Sequence, residues 1–199
     1  SGRDCEARWR RHDGAGVVEG VGDGVRSVAF GDHVVTLFAP ECGSCIHCQS
    51  PRTNRCITIR DQQNAGYLPD GTTRLSRGGE PLRHFMGTST FAEYAVIPET
   101  NAWVSGSLAP EVAALQEPMG NAVHAAFVEE IAGQSVVVTG CGPIGLMAVA
   151  IARLAGARHV YATDLMPERL EIARRMGAHE VIDARELTRD FGAFRAVDR

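Results

Sequence analysis

Apolar residues in this chain come as short β-branched runs cut by glycine through the first half, and at helical spacing between such runs through the second. From Gly14, Gly-Ala-Gly-Val-Val-Glu-Gly-Val-Gly-Asp-Gly-Val and then Phe30-Gly-Asp-His-Val-Val-Thr-Leu-Phe38 predict short strands separated by glycine turns, with no helix signal. Residues 57–86 are polar and turn-rich: Asp70-Gly71 is the expected hairpin turn, and the glycine pair at 78–79 ahead of Pro81 a second break. Phe91, Tyr94, Val96 and Ile97 predict another strand, stopped by Pro98. Val112, Ala113 and Leu115 predict a short helix capped near Ser107, so that a β-rich module ends around Gln116.

Beyond Gln116 the period changes. Residues 117–128 read as an entry turn and an apolar helix, with His124 expected to pack in the core. Val136 to Val138 form the kind of run that is buried on both faces of a parallel sheet. Leu146, Val149, Ala150 and Leu154 then repeat at helical spacing up to Gly156, and His159 to Thr163 supply a second strand ending in Asp164. A helix with Pro167 in its first turn and Gly177 just past its end leads to a third strand, Glu180-Val-Ile-Asp183. The last residues, through Phe191 and Phe194, carry no further strand signal. The expected domains are therefore 1–116 and 117–199.

Between the first of these strands and its helix lies Gly140-Cys-Gly142-Pro143-Ile144-Gly145. In G-x-G-x-x-G each missing Cβ has its own use: a tight turn, close approach of backbone to a pyrophosphate, and close packing of helix on strand. The amides at the helix start suit an anion. An acid about 20 residues past the glycines accepts hydrogen bonds from the adenosine ribose and repels a 2′-phosphate, so Asp164 argues for NAD over NADP. Glycines serve many turns, and an ordinary βαβ turn is the alternative; here strand, helix, second strand and acid all fall in order. Arg169, five residues past Asp164, is within reach of the adenosine side, though a surface arginine is the commoner outcome.

Composition narrows the partners. A net charge of −4 gives no reason to expect nucleic acid or an anionic membrane surface. No apolar run approaches a membrane span, and the opening residues are too polar for a signal peptide, so the expected compartment is the reducing cytoplasm. The six cysteines then read as ligands or free thiols rather than disulfides. Four of them, Cys42, Cys45, Cys48 and Cys56, fall on one short loop. Four thiolates close a tetrahedral zinc shell and leave no position for substrate, so such a site is structural. An iron–sulfur cluster is the competitor, because bacterial ferredoxins begin with the same C-x2-C-x2-C. Their fourth cysteine comes three residues on and precedes proline, whereas here seven residues intervene and Ile57 follows. His47, inside the loop, is expected to face solvent. His12 and Asp13 at the mouth of the β module are either a metal pair or a solvated turn, and Glu117 is either a metal ligand or a helix N-terminal acid.

Together these segments resemble the zinc-containing medium-chain alcohol dehydrogenase family, over nearly all of the chain from Arg11 onward. His12-Asp-Gly-Ala-Gly-Val-Val-Glu19 is similar to the family's Gly-His-Glu-Gly-x-Gly-x-Val catalytic segment, Gly31-Asp-His-Val-Val to its Gly-Asp-x-Val strand, and the four cysteines to its structural zinc lobe. Met86-Gly-Thr-Ser-Thr-Phe-Ala-Glu-Tyr-Ala-Val resembles the branch acting on primary alcohols and thiol adducts of formaldehyde. Glu117-Pro-Met-Gly-Asn-Ala-Val-His resembles the branch acting on threonine and polyols, in which a glutamate replaces a cysteine ligand. The resemblance implies an α/β fold: a β-rich GroES-like substrate module with a zinc lobe, then a partial Rossmann doubly wound parallel sheet. It implies a small-molecule alcohol substrate, NAD bound by Gly140, Gly142, Pro143, Ile144, Gly145, Asp164 and Arg169, and a catalytic zinc held by His12 and Glu117, with Asp13 and Cys5 as further candidates. Arg11 stands where the family has glycine, Asp13 where it has glutamate, and Cys5 lies only seven residues before His12. The first strands of the substrate module and the second half of the dinucleotide domain have no counterpart, so the chain reads as truncated at both ends. It is accordingly expected to self-associate, and an inactive member that keeps structural zinc and the adenosine half of NAD is the alternative.

Overall fold

The computed structural model describes residues 12–39, 41–50, 52–186, 190–191 and 194–195. The chain divides into two compact units, Ser1–Gln116 and Glu117–Arg199.

In the first unit β1 (Ala15–Val17), β2 (His33–Thr36) and β5 (Ala102–Val104) form an antiparallel sheet in the order β1-β2-β5, with Gly16 opposite Val34 and Val35 opposite Trp103. Alternation along β2 turns Val34 and Thr36 inward. The short helix α2 (Pro110–Ala113) contacts β1 and β2 and buries Ala113. Its N-cap is Ala109, which makes no side-chain cap, so the cap expected near Ser107 is not formed. Between β2 and β5 runs a long excursion that is more regular than its polar composition suggested. Residues 57–65 form helix α1 (Ile57–Ala65), which starts directly after Cys56 and stops at Gly66 in the left-handed conformation (φ 81°). Only Ile59 of this helix is buried, which explains why no hydrophobic period announced it.

The hairpin of the excursion is β3 (Leu75–Arg77) with β4 (Glu80–Leu82), and its turn is Gly78-Gly79, not Asp70-Gly71. Both glycines have positive φ (59° and 87°), as a two-residue hairpin turn with the twist of its strands requires. Asp70 instead closes a local turn: its carboxylate accepts from the Thr72 amide and hydroxyl at 3.0 and 2.7 Å. The strand expected at 91–97 is absent. Among the described residues nothing pairs with that segment, and a cavity of about 790 Å³ separates it from β1. Phe91, Tyr94 and Val96 stay exposed.

The second unit opens with α3 (Gln116–Phe127), which begins one residue before the division. It buries Pro118, Ala122 and Ala126, while His124 is exposed and not a core residue. A parallel sheet follows in the order β6-β7-β8, from β6 (Ser135–Thr139), β7 (His159–Asp164) and β8 (Glu180–Asp183), connected by α4 (Pro143–Leu154) and α5 (Pro167–Arg175). Val149, Ala152, Val160, Ala162, Leu170 and Ala173 make its core. Only the central β7 is buried on both faces. β6 is an edge strand whose Val137 is 60% exposed, so the expectation that Val136–Val138 would be enclosed fails for want of a further strand. Near the end, β9 (Asp190–Phe191) and β10 (Phe194–Arg195) pair antiparallel, a minimal ladder where no strand was expected. No helix among the described residues is long and apolar enough to cross a membrane.

Candidate functional site

The four loop cysteines converge. Cys42 and Cys48 sulfurs lie 3.9 Å apart, Cys45 and Cys48 3.5 Å, and Cys45 and Cys56 4.0 Å. A tetrahedron of Zn–S bonds of about 2.3 Å has edges of about 3.8 Å, so these sulfurs already stand at its corners. Turns across 42–50 bring in three of them, and the 3-10 turn at Thr53–Arg55 delivers buried Cys56. The Ser44 hydroxyl and the Cys45 amide donate to the Cys42 sulfur, whose own bond goes to the Thr58 hydroxyl oxygen at 3.5 Å, and these contacts, Ser44 foremost, hold its thiol down at about 5. Burial beside the other sulfurs pushes Cys48 up to about 12. Cys45 is lowered as well, chiefly by the Cys48 amide, so thiolates and a held proton stand side by side in the cluster. Neither hydroxyl was singled out from the sequence: Ser44 sits inside C-x2-C, where its closeness to the sulfur could have been read, whereas Thr58 is carried back to Cys42 only by helix α1. Among the described residues, Cys141 is the remaining free thiol, fully buried and held protonated by that burial.

In the second unit the glycine turn adopts the geometry its sequence suggests. Gly140 has φ 88° and its amide donates to Thr163 O (2.8 Å) across the two strands. Gly142 is the N-cap of α4 and has no side chain to cap it; Pro143 occupies the first helical position. The amides of Ile144 and Gly145 in this first turn therefore have no intrahelical acceptor and face an incoming anion. A Cβ on Gly145 would fall 1.8 Å from Gly140 O, so helix and turn touch backbone to backbone. Asp164, at the end of β7, closes the site. Its two oxygens accept from the Cys141 amide (2.7 Å) and the Met166 amide (2.9 Å), which hold the carboxyl below its usual range. Arg169 Nη1 stands 3.7 Å from Asp164 Oδ2, and the arginine is exposed, a surface side chain beside the acid.

The first unit holds a second group of donors. His12 Nε2 lies 3.0 Å from Asp13 Oδ1, and the ring is flanked by Phe38 and Phe85 at centroid distances of 4.9 and 5.7 Å. Asp13 Oδ1 is buried with the imidazole nitrogen as its near neighbour, a pairing of donor atoms that suits a cation shared between the two. Glu117, the first residue of the second unit, is half-buried in the first turn of α3, where Asn121 Nδ2 donates to its Oε1 at 3.0 Å. Cys5, the weakest of the candidate ligands, lies outside the described residues.

Comparison with known proteins follows the same division. The family description "Alcohol dehydrogenase GroES-like domain" matches residues 9–106 and "Zinc-binding dehydrogenase" matches residues 143–194. An S-(hydroxymethyl)glutathione dehydrogenase of Escherichia coli O1:K1 / APEC is 43% identical over 181 residues, a match covering 86% of this chain and 48% of that protein. An alcohol dehydrogenase zinc-binding domain protein from Burkholderia ambifaria superposes with TM-score 0.76 at 35% identity, over 88% of this chain and 49% of that one. A zinc-binding dehydrogenase from Sinorhizobium meliloti 1021, solved with NADP bound, gives TM-score 0.65 at 30% identity over 86% of this chain and 45% of its own. The chain thus spans about half the length of the curated relatives it matches.

Proposed function

Since the chain belongs to the zinc-containing medium-chain alcohol dehydrogenase family, we propose that it serves zinc-assisted hydride transfer from an alcohol to NAD. When bound, zinc supplies Lewis acidity that lowers the alcohol's pKa, and the nicotinamide supplies the hydride acceptor. The residues of this chain do the holding. In this reading 1–116 is the substrate domain and 117–199 the cofactor domain. Cys42, Cys45, Cys48 and Cys56 hold the structural zinc. His12 is the first ligand of the catalytic zinc, with Asp13 beside it and Glu117 as the further ligand suggested by the sequence. The amides of Ile144 and Gly145, opened by Gly140 and Gly142, take the pyrophosphate, and Asp164 takes the ribose.

Asp164 is the observation that carries the reading: an acid kept ionised at the end of β7, beside a glycine turn closed backbone to backbone. An ionised acid there repels a 2′-phosphate, which favours NAD, although one relative binds NADP and Arg169 stands close by. Calorimetric titration with each cofactor is the test. NAD should bind more tightly than NADP, and Asp164→Ser should narrow the difference. Equal affinities in the unaltered chain would refute the assignment.

For the substrate, the Escherichia coli relative and the segment from Met86 support a primary alcohol or a thiol adduct of formaldehyde. Glu117-Pro-Met supports threonine or a polyol as a second reading. Comparing rates of nicotinamide reduction over these alcohols separates the two. The protein's place in this reading is the cytoplasm, where four thiols stay reduced for zinc, and cell fractionation checks that.

A further inference from the structure

His12 and Asp13 occupy a stretch without regular structure just ahead of β1, so no ladder or helix fixes their backbone. Three successive carbonyls are nevertheless tied down. The Thr36 hydroxyl donates to His12 O at 2.6 Å, the Thr90 hydroxyl donates to Asp13 O at 2.9 Å, and the Thr36 amide donates to Gly14 O at 3.0 Å. Thr36 is buried on β2, and its position is set by the ladder to Ala102.

Thr90 arrives from a different direction, at the end of a strained segment. Among the described residues Met86 and Ser89 are the non-glycine residues of positive φ (55° and 51°), with Gly87 at 72° between them. Such conformations persist only where surrounding contacts over-determine them. Here Gln63 Nε2 donates to Met86 O (2.9 Å), the Phe85 amide donates to Ser89 Oγ (2.8 Å), and the Thr88 and Ser89 amides both donate to Phe85 O. The strained turn presses Thr90 against Gly14 so closely that a Cβ there would meet Thr90 Cβ at 2.7 Å.

We propose that Thr36 and Thr90 are positioning residues that hold the His12–Asp13 dipeptide in the geometry for a catalytic zinc. This rests on reading His12 as a ligand of that zinc. Two hydroxyls from separate elements fix the backbone on either side of the Asp13 amide. The imidazole and carboxylate are thereby presented together, as outer hydrogen bonds do for metal ligands elsewhere.

The test is zinc and cobalt(II) titration of the whole chain and of T36V, T90V, T36S, T90S and H12A. The four-cysteine site, with its intense thiolate-to-cobalt absorption, serves as internal control for folding. The unaltered chain should bind a second metal equivalent that H12A loses. Each valine variant should weaken that second site about tenfold or more while leaving the thiolate band unchanged, and each serine variant should restore it. A second site of equal affinity in both valine variants would overturn the positioning role alone. A chain that binds no second metal, or one indifferent to H12A, would overturn the His12 reading and this proposal with it.

Discussion

Gly145 and Gly142 look equivalent in a sequence motif, but their surroundings separate them. At Gly145 a Cβ meets the Gly140 carbonyl, a backbone atom that cannot yield; at Gly142 nothing lies within 4 Å and φ is −71°. Gly145→Ala should therefore destabilise the second unit by about 3 kcal/mol or more, as overpacking against backbone does. Gly142→Ala, at the N-cap of α4, should cost about 1 kcal/mol or less and show its effect chiefly in cofactor affinity. Urea unfolding of both variants, followed by NAD titration, checks the contrast. Equal destabilisation by the two would contradict it. At this scale the sequence was informative where the chemistry is local. The four cysteines, the glycine turn and Asp164 all owe their meaning to spacing. Thr36, Thr58 and Thr90 do not, because each acts on a residue brought near only by the fold, and a lone threonine carries no such signal.

At the scale of elements, legibility followed burial. α4 was plain from its period and α5 from the proline and glycine at its ends, and so was the enclosed β7 between them from its apolar run. α1 buries one residue and was invisible. The segment 91–97 carried a strand's pattern without a partner to pair with, and a pattern alone forms no ladder. The four-cysteine lobe is the extreme case: little apolar surface is buried there beyond Cys56 and Ile59, so we expect its order to depend on a bound metal. Metal analysis of chain purified without chelator should find zinc that Cys45→Ser removes from this lobe. Hydrogen exchange should then show residues 42–65 opening while β6 to β8 stay protected. Iron with visible absorbance, or protection unchanged by the substitution, would sink this account.

At the scale of the molecule, each unit leaves apolar surface bare. In the first, Phe91, Tyr94 and Trp103 are exposed; in the second, Val137 lies on an edge strand and Leu154 is 83% exposed. Unpaired edges and uncovered apolar faces favour association. We expect the 199-residue chain to form dimers or larger species in sedimentation velocity at micromolar concentration. A monodisperse monomer with one sharp unfolding transition would count against this.

The β2–β5 ladder joins Val34 to Val104, and everything between them, including the four cysteines, is the loop that this pairing must close. The parallel sheet of the second unit asks for much shorter closures, since each strand pairs with the next one along the chain. Order of assembly follows from this, because closure entropy is spent before distant contacts repay it. A metal clip from Cys42 to Cys56 would shorten the free loop ahead of the β2–β5 encounter and so act on speed as well as on strength. Trp103 lies on β5 in the first unit, so its fluorescence times that unit's assembly. In stopped-flow refolding, chelator should slow the tryptophan phase and leave the earlier rise in helical circular dichroism untouched. Zinc would then be a folding catalyst for one half of the chain and a bystander to the other.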